Sequence, residues 1–118
     1  MELAEGYARF RPEGCVSLEM AVALVGGALT FCHDQQIPRL LVDTTRLTGF
    51  PPPTIADRYF IAQDWAQKAK GKVIVAMVVP PEVIDPQKFE VIAATNAGQR
   101  VDVFTSESEA LDWLLRQE

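Results

Sequence analysis

The alternation of short apolar runs with longer segments of helical periodicity most constrains how this chain can fold. Residues 40–42 read Leu-Leu-Val, and residues 73–79 form a longer run rich in β-branched side chains that ends at Pro80. Such runs are typical of central strands that are covered on both faces of a sheet. Between them, Thr54 and Gly71 provide the usual start and stop of a helix. This order predicts parallel strands with helices packed on them.

The same alternation continues along the chain, whose 118 residues fit a single domain over residues 1–118. We predict strands over residues 5–11, 39–43, 73–79 and 101–104, helices over residues 18–35, 54–70 and 85–97, and a last helix after Ser106 in which the chain finishes, with Ser17, Thr54, Asp85 and Ser106 as N-caps. The fold is therefore expected to be α/β, with a mostly parallel sheet flanked by four helices. The first strand is more polar than the others, which favours an edge position, with an antiparallel orientation as one option.

Charge and hydropathy exclude several classes of partner. The 11 Lys and Arg residues are scattered and are outnumbered by 16 Asp and Glu, so nucleic acid is not expected as a partner. The longest apolar stretch, residues 20–29, is shorter than the roughly 18 residues that span a bilayer, so no membrane partner is expected. The N-terminus has no secretory signal pattern. We expect a cytoplasmic protein with Cys15 and Cys32 reduced.

Motifs for catalysis or metal binding are absent from the sequence. His33 is the single histidine, so no zinc site with nitrogen and sulfur ligands is expected, and we predict no metal and no cofactor. The chain has neither a nucleophile elbow nor a phosphate-binding glycine loop. We therefore predict that the protein is not an enzyme. The alternative, an acid–base pair of Asp43 and Asp85, would require carboxylates in a cleft with shifted pKa values.

Polar residues follow the predicted strands at the edge where α/β sheets gather their ligands. After the second strand they form what we call the polar rim, a candidate site for an anion or a phosphoacceptor: Asp43, Thr44, Thr45, Arg46, Thr48 and Thr54. In this interpretation Arg46 is the charge partner. In the alternative interpretation, Asp43 and Thr54 only satisfy turn and helix-cap donors.

The first predicted helix is apolar on two sides. Beside its core positions, a second set of residues falls on the opposite side at 100° per residue, and we call this set the outer stripe: Met20, Leu24, Gly27 and Phe31. We interpret it as a candidate interface for a homodimer or for an apolar ligand, with Phe60, Trp65 and Trp113 as residues that could extend it. The alternative is a cover from the same chain, such as residues 51–53.

Several segments carry a resemblance to a known family. Residues 40–43 (Leu-Leu-Val-Asp) are followed by a loop and Gly49, residues 73–76 (Val-Ile-Val-Ala) precede a Pro-Glu turn, and residues 103–105 lead into residues 109–114 (Glu-Ala-Leu-Asp-Trp-Leu). From Tyr7 onward the chain resembles the small bacterial STAS-like proteins, often described as SpoIIAA-like, which are related to the anti-sigma-factor antagonists.

The resemblance implies a four- or five-stranded sheet flanked by helices and a non-enzymatic, partner-binding role. In the antagonists, a kinase phosphorylates a Ser or Thr after an Asp at the start of the second helix. The matching residues 46–51 here have no such Asp, so Thr48 is the nearest positional match and Thr54 caps the next helix. We expect a regulatory interaction domain that forms a homodimer and binds a kinase or another regulator. The alternative is a carrier or sensor of a small apolar or amphipathic ligand.

Overall fold

The computed structural model describes residues 1–83, 95 and 98–117. They form an α/β fold with these elements: β1 (Glu2–Ala4), β2 (Tyr7–Phe10), β3 (Gly14–Cys15), α1 (Leu18–Asp34), β4 (Arg39–Asp43), β5 (Leu47–Thr48), α2 (Ile55–Ala69), β6 (Ile74–Val78), a 3₁₀ turn (Pro81–Val83), β7 (Val101–Phe104) and α3 (Glu107–Leu115). The five-stranded sheet has the order β1-β2-β4-β6-β7, and β3 and β5 form a separate two-stranded sheet.

The main sheet is mixed because the chain begins with a hairpin. β1 and β2 are antiparallel, with Ala4 opposite Tyr7, whereas β2–β4, β4–β6 and β6–β7 are parallel pairs. Gly6 in the connecting turn has φ +86°, a conformation that favours glycine. The predicted first strand is therefore not an edge strand, since β1 covers one side of β2 and β4 the other.

The expected mostly parallel sheet with four helices is therefore correct only at the level of an α/β fold. The sheet is mixed, and the part of the chain that the structure describes contains three α-helices. The helix predicted over residues 85–97 lies outside the described residues. The other three helices begin after the predicted caps, Ser17, Thr54 and Ser106.

The central strands alternate between two cores, as expected for a sheet covered on both faces. On β4, Leu40 and Val42 face a core with α1 and α2, while Leu41 faces a core with α3. On β6, Val75 and Met77 join the first core. These strands therefore hold α1 and α2 on one face of the sheet and α3 on the other.

The two-stranded sheet joins the connections that follow β2 and β4. Gly14 lies opposite Leu47 and Cys15 opposite Thr48, in segments for which the sequence predicts neither a strand nor a helix. Gly49 follows with φ +101°, and a Cβ there would lie 2.7 Å from the Val16 carbonyl oxygen. This position requires glycine because of both its backbone angle and its surroundings. The pairing fixes the loop that carries most of the polar rim.

Candidate functional site

Asp43 and Thr45 are the only members of the polar rim, within the described residues, between which a hydrogen bond is seen. The Thr45 hydroxyl and backbone N–H donate to Asp43 Oδ1 over 2.6 and 2.9 Å. Burial alone would raise the pKa of Asp43, but the hydrogen bonds from Thr45 bring it below its ordinary value. A side-chain contact with Glu107 and the charge of Arg11 lower the pKa further. Asp43 is thus a charged acceptor that stabilises its own turn.

The other rim residues bond to different parts of the fold. Thr44 donates from its backbone N–H and from its hydroxyl to the Val78 carbonyl oxygen, over 2.9 and 3.0 Å. The Thr48 hydroxyl donates to the Gly14 carbonyl oxygen over 3.4 Å, within the small sheet.

The last two rim residues also have local partners. Thr54 accepts from the backbone N–H of Asp57 over 3.1 Å, and its own N–H donates to the Asp57 carboxylate over 3.0 Å, which makes a capping box. Arg46 lies 3.9 Å from Glu13, and both side chains are largely exposed. The role of Arg46 as the charge partner of an anion stays a prediction. Asp85, the other half of the predicted acid–base pair, lies outside the described residues.

A cluster of charged residues next to the polar rim was not predicted from the sequence. Arg11 makes two hydrogen bonds to the Glu107 carboxylate, over 2.5 and 3.3 Å, and the hydrogen bond raises the pKa of Arg11. Arg9 Nε lies 3.1 Å from Glu107 Oε1 as an ion pair that lacks hydrogen-bond geometry. The Arg9 guanidinium also lies over the Tyr7 ring, 5.6 Å from its centroid. The sequence signal that could have predicted this cluster is the alternation along β2, which places residues 7 and 9 on one face and, continued past the end of the strand, residue 11 as well.

The outer stripe of α1 is open to solvent. Met20 is 51% exposed and Phe31 is 41% exposed, while Leu24 is half-buried. Gly27 is exposed, and a Cβ there would have no atom within 4 Å. Within the described part of the chain, residues 51–53 and the other segments thus leave Met20, Gly27 and Phe31 exposed.

A second group of exposed apolar residues lies on the first turns of α2. Ile55 is 66% and Phe60 69% exposed, and Tyr59 packs edge-on against Phe60 with ring centroids 5.7 Å apart. Trp65 and Trp113, by contrast, pack against the two cores of the sheet.

An apolar cavity of about 90 Å³ lies between α1, α2 and the sheet. Phe50 and Pro53, which follow the small sheet, form one wall, and Thr44 of the polar rim lines it as well. The residues after β5 thus cover the inner side of α1 near its start. This cavity was not predicted, because the sequence does not show how far α1 and α2 are separated.

Comparisons with known proteins return no match: no family model, no curated protein and no solved structure is significantly similar to the chain. Within the described residues, no helix is both long enough and apolar enough to cross a membrane. The same residues contain no group of three or more His, Cys, Asp and Glu side chains arranged to hold a metal ion.

Proposed function

We propose that the protein is a non-catalytic interaction domain that forms a homodimer through the outer stripe of α1. The observation that carries the proposal is that residues 20–33 contain no Asp, Glu, Lys or Arg, although the outer side of the helix is exposed. Exposed helix faces ordinarily carry charged side chains, and soluble monomers rarely expose a large contiguous apolar patch. Burial of the stripe against another surface would stabilise the protein.

A second copy of the chain fits the shape of the stripe. Its residues are spaced by four, three and four positions, which is the spacing of contact residues in paired helices. Gly27 lies in the middle with open space above it, so the backbone of a second helix can come close there. A two-fold axis places the same uncharged stripe on both sides, so the two copies do not repel each other.

The exposed residues of α2 are a weaker candidate for the same contact. Phe60 is the most exposed of them at 69%, but Asp57 and Arg58 lie on the same turns. A second copy would have to bury part of these charged side chains, which reduces the gain from burying the apolar side chains. The stripe on α1 has no such charges along its length.

The non-catalytic part of the proposal rests on the local roles of the rim, and its regulatory part rests on the resemblance to anti-sigma-factor antagonists. Asp43, Thr44 and Thr54 are engaged in a turn, in a strand contact and in a helix cap. These roles support a structural use of the rim and not a catalytic one. The resemblance adds a kinase or another cytoplasmic regulator as the partner class.

Light scattering at tens of micromolar tests the dimer. We expect the unmodified protein to be a dimer and Phe31→Glu to be a monomer, because the charge would be buried at the contact. Phe60→Glu is the matched control, since it places the same charge on the other exposed phenylalanine, and it should remain a dimer. Leu24→Glu, at the half-buried leucine of the outer stripe, should also give a monomer. Its control is Leu115→Glu, at an exposed leucine of α3, which should remain a dimer.

A monomeric unmodified protein would remove the proposal. Dissociation by Phe60→Glu with no effect of Phe31→Glu would move the interface to α2. Circular dichroism of each variant confirms that a change in mass reflects association and not unfolding.

For a kinase partner, the contacts favour Thr48 over Thr54 as the acceptor. Thr48 is exposed, and its hydroxyl makes one long bond to Gly14. A phosphate on Thr54 would lie beside the Asp57 carboxylate and would disrupt the cap of α2. Peptide mass spectrometry of the protein isolated from its own cells should find phosphate on Thr48. Phosphate on Thr54 alone, or on neither residue, would exclude this switch.

A further inference from the structure

The cavity between α1, α2 and the sheet is lined almost entirely by hydrocarbon. Ala21 and Val25 contribute from α1, Ile61 and Trp65 from α2, and Met77 and Val79 from the sheet side. Among the described residues that line it there is no Asp, Glu, Lys or Arg. The described part of the wall therefore presents mainly apolar side chains to a ligand in this space.

The polar groups at the cavity wall already have partners. The Thr44 hydroxyl donates to the Val78 carbonyl oxygen over 3.0 Å, and the Trp65 indole N–H donates to the Val22 carbonyl oxygen over 3.2 Å. A water molecule in a cavity needs two to four polar partners, and apolar cavities that lack them stay dry. The space thus suits an apolar group better than water.

We propose that this cavity binds the alkyl group of a small uncharged amphiphile whose polar end stays in solvent. An apolar cavity of about 150 Å³ holds benzene, so about 90 Å³ accommodates a chain of roughly three or four carbons. A second cavity of about 90 Å³ shares Pro53, Ile61, Trp65, Met77 and Val79 with the first, and Arg58 and Val103 line it as well. Because the two cavities share these five residues, we expect an alkyl chain of roughly six to eight carbons to extend from the first into the second.

The cavity is reachable from the surface and does not involve the outer stripe. Leu18, Phe50, Pro53 and Ile61 line it and are themselves only half-buried, so they form its mouth. The net charge of −5 disfavours anionic ligands, and the described residues that line the first cavity offer no acidic side chain to pair with a cationic group, which is why the proposed amphiphile is uncharged. Binding here goes beyond the proposed dimer and does not depend on it.

The site can be tested by titration with 1-alkanols of increasing length. The readout is the NMR shift of the methyl groups of Ala21, Val25 and Met77. Each added methylene should tighten binding about fourfold, up to roughly eight carbons, and further methylenes should add nothing. No saturable shift at these methyl groups would overturn the proposal. A gain that continues without a plateau would show partition onto the surface and would overturn it as well.

A matched pair of substitutions on one helix locates the site. Ala21→Leu fills the cavity and should weaken 1-hexanol binding at least about tenfold, whereas Ala23→Leu adds the same atoms on the exposed side and should leave binding unchanged. Val22→Phe, on a half-buried wall, gives a second filled variant if Ala21→Leu does not fold. Equal affinity in filled and control variants would exclude this cavity. Phe31→Glu should bind 1-hexanol normally, which separates this test from that of the dimer.

Discussion

Gly26 and Gly27 are neighbours in α1, yet they have opposite surroundings. A Cβ on Gly26 would lie 2.9 Å from Nζ of Lys68, whereas a Cβ on Gly27 would have no atom within 4 Å. The first residue packs against α2, and the second faces solvent. The two sides of α1 are similarly apolar, so the apolar pattern alone does not tell which side the chain itself covers.

The inner side of α1 shows what full cover looks like. Leu29 and Cys32 have no solvent exposure and Val25 has 2%, and all three belong to the core that α1 and α2 share with the sheet. On the outer side, Phe31 keeps 41% of its surface exposed. In the proposed dimer, the stabilisation that comes from burying the outer stripe depends on protein concentration, whereas the stabilisation that comes from the inner side does not.

The largest difference between the two sides is expected for leucine truncation. Leu29→Ala should lower the free energy of unfolding by about 2–5 kcal/mol, because it leaves a cavity in a fully buried core. Leu24→Ala should lower it by less than about 1 kcal/mol in the monomer. Urea denaturation in a Phe31→Glu background measures both without a contribution from association. Equal losses would mean that the two sides are covered alike.

The sequence predicted the three described α-helices well because their signals are local. Ser17 and Thr54 accept the expected backbone hydrogen bonds, and the helix before Gly71 ends as its sequence indicates. The hairpin strand Glu2–Ala4 was missed, since three residues are too few to show an alternation. The pairing of Gly14–Cys15 with Leu47–Thr48 has no local signal, because it joins two loops far apart in the chain.

The candidate sites show the same difference between features with a local sequence signal and features that depend on contacts between distant residues. Helical periodicity identifies the outer stripe, but only the packed structure shows that Met20, Gly27 and Phe31 are exposed. The polar rim is at the carboxyl ends of the strands, yet hydrogen bonds such as Thr45 to Asp43 serve local turns. The contact of Arg11 with Glu107 was missed because 96 positions separate the two residues. The cavity depends on the space between α1 and α2, which periodicity does not describe.

The glycine pair itself provides a smaller and more specific test. Gly27→Ala should stabilise the monomer by about 0.5–1 kcal/mol, because alanine loses less backbone freedom in a helix and the added methyl meets nothing. Gly26→Ala should gain less, since the Lys68 side chain, which pairs with Asp64 over 2.7 Å, must move. Urea denaturation in the Phe31→Glu background measures both.

Association should respond in the opposite direction. In the proposed dimer the Gly27→Ala methyl occupies space used by the second helix, so the dissociation constant should rise while the monomer becomes more stable. Analytical ultracentrifugation over a dilution series measures this change. A tighter dimer in Gly27→Ala would contradict a close helix contact at this residue.

The two cysteines allow a comparison between a buried and an exposed part of the same fold. Of the changes considered, we expect the ionisation of Cys32 to have the smallest effect on the free energy of unfolding at pH 8. Burial raises the pKa of Cys32 to about 11, while Cys15 is exposed. Ellman's reagent at pH 8 should therefore modify Cys15 alone in the folded protein and both thiols in urea, with Cys15→Ser as the control that removes the fast reaction.

The Cys32 thiol of the unfolded chain ionises near pH 8.5. The free energy of unfolding should therefore fall as the pH rises from about 8.5 toward about 11, because only the unfolded chain releases this proton in that range. Rapid modification of Cys32 in the folded protein would show that the inner side of α1 opens to solvent, and the contrast with the outer stripe would then be lost.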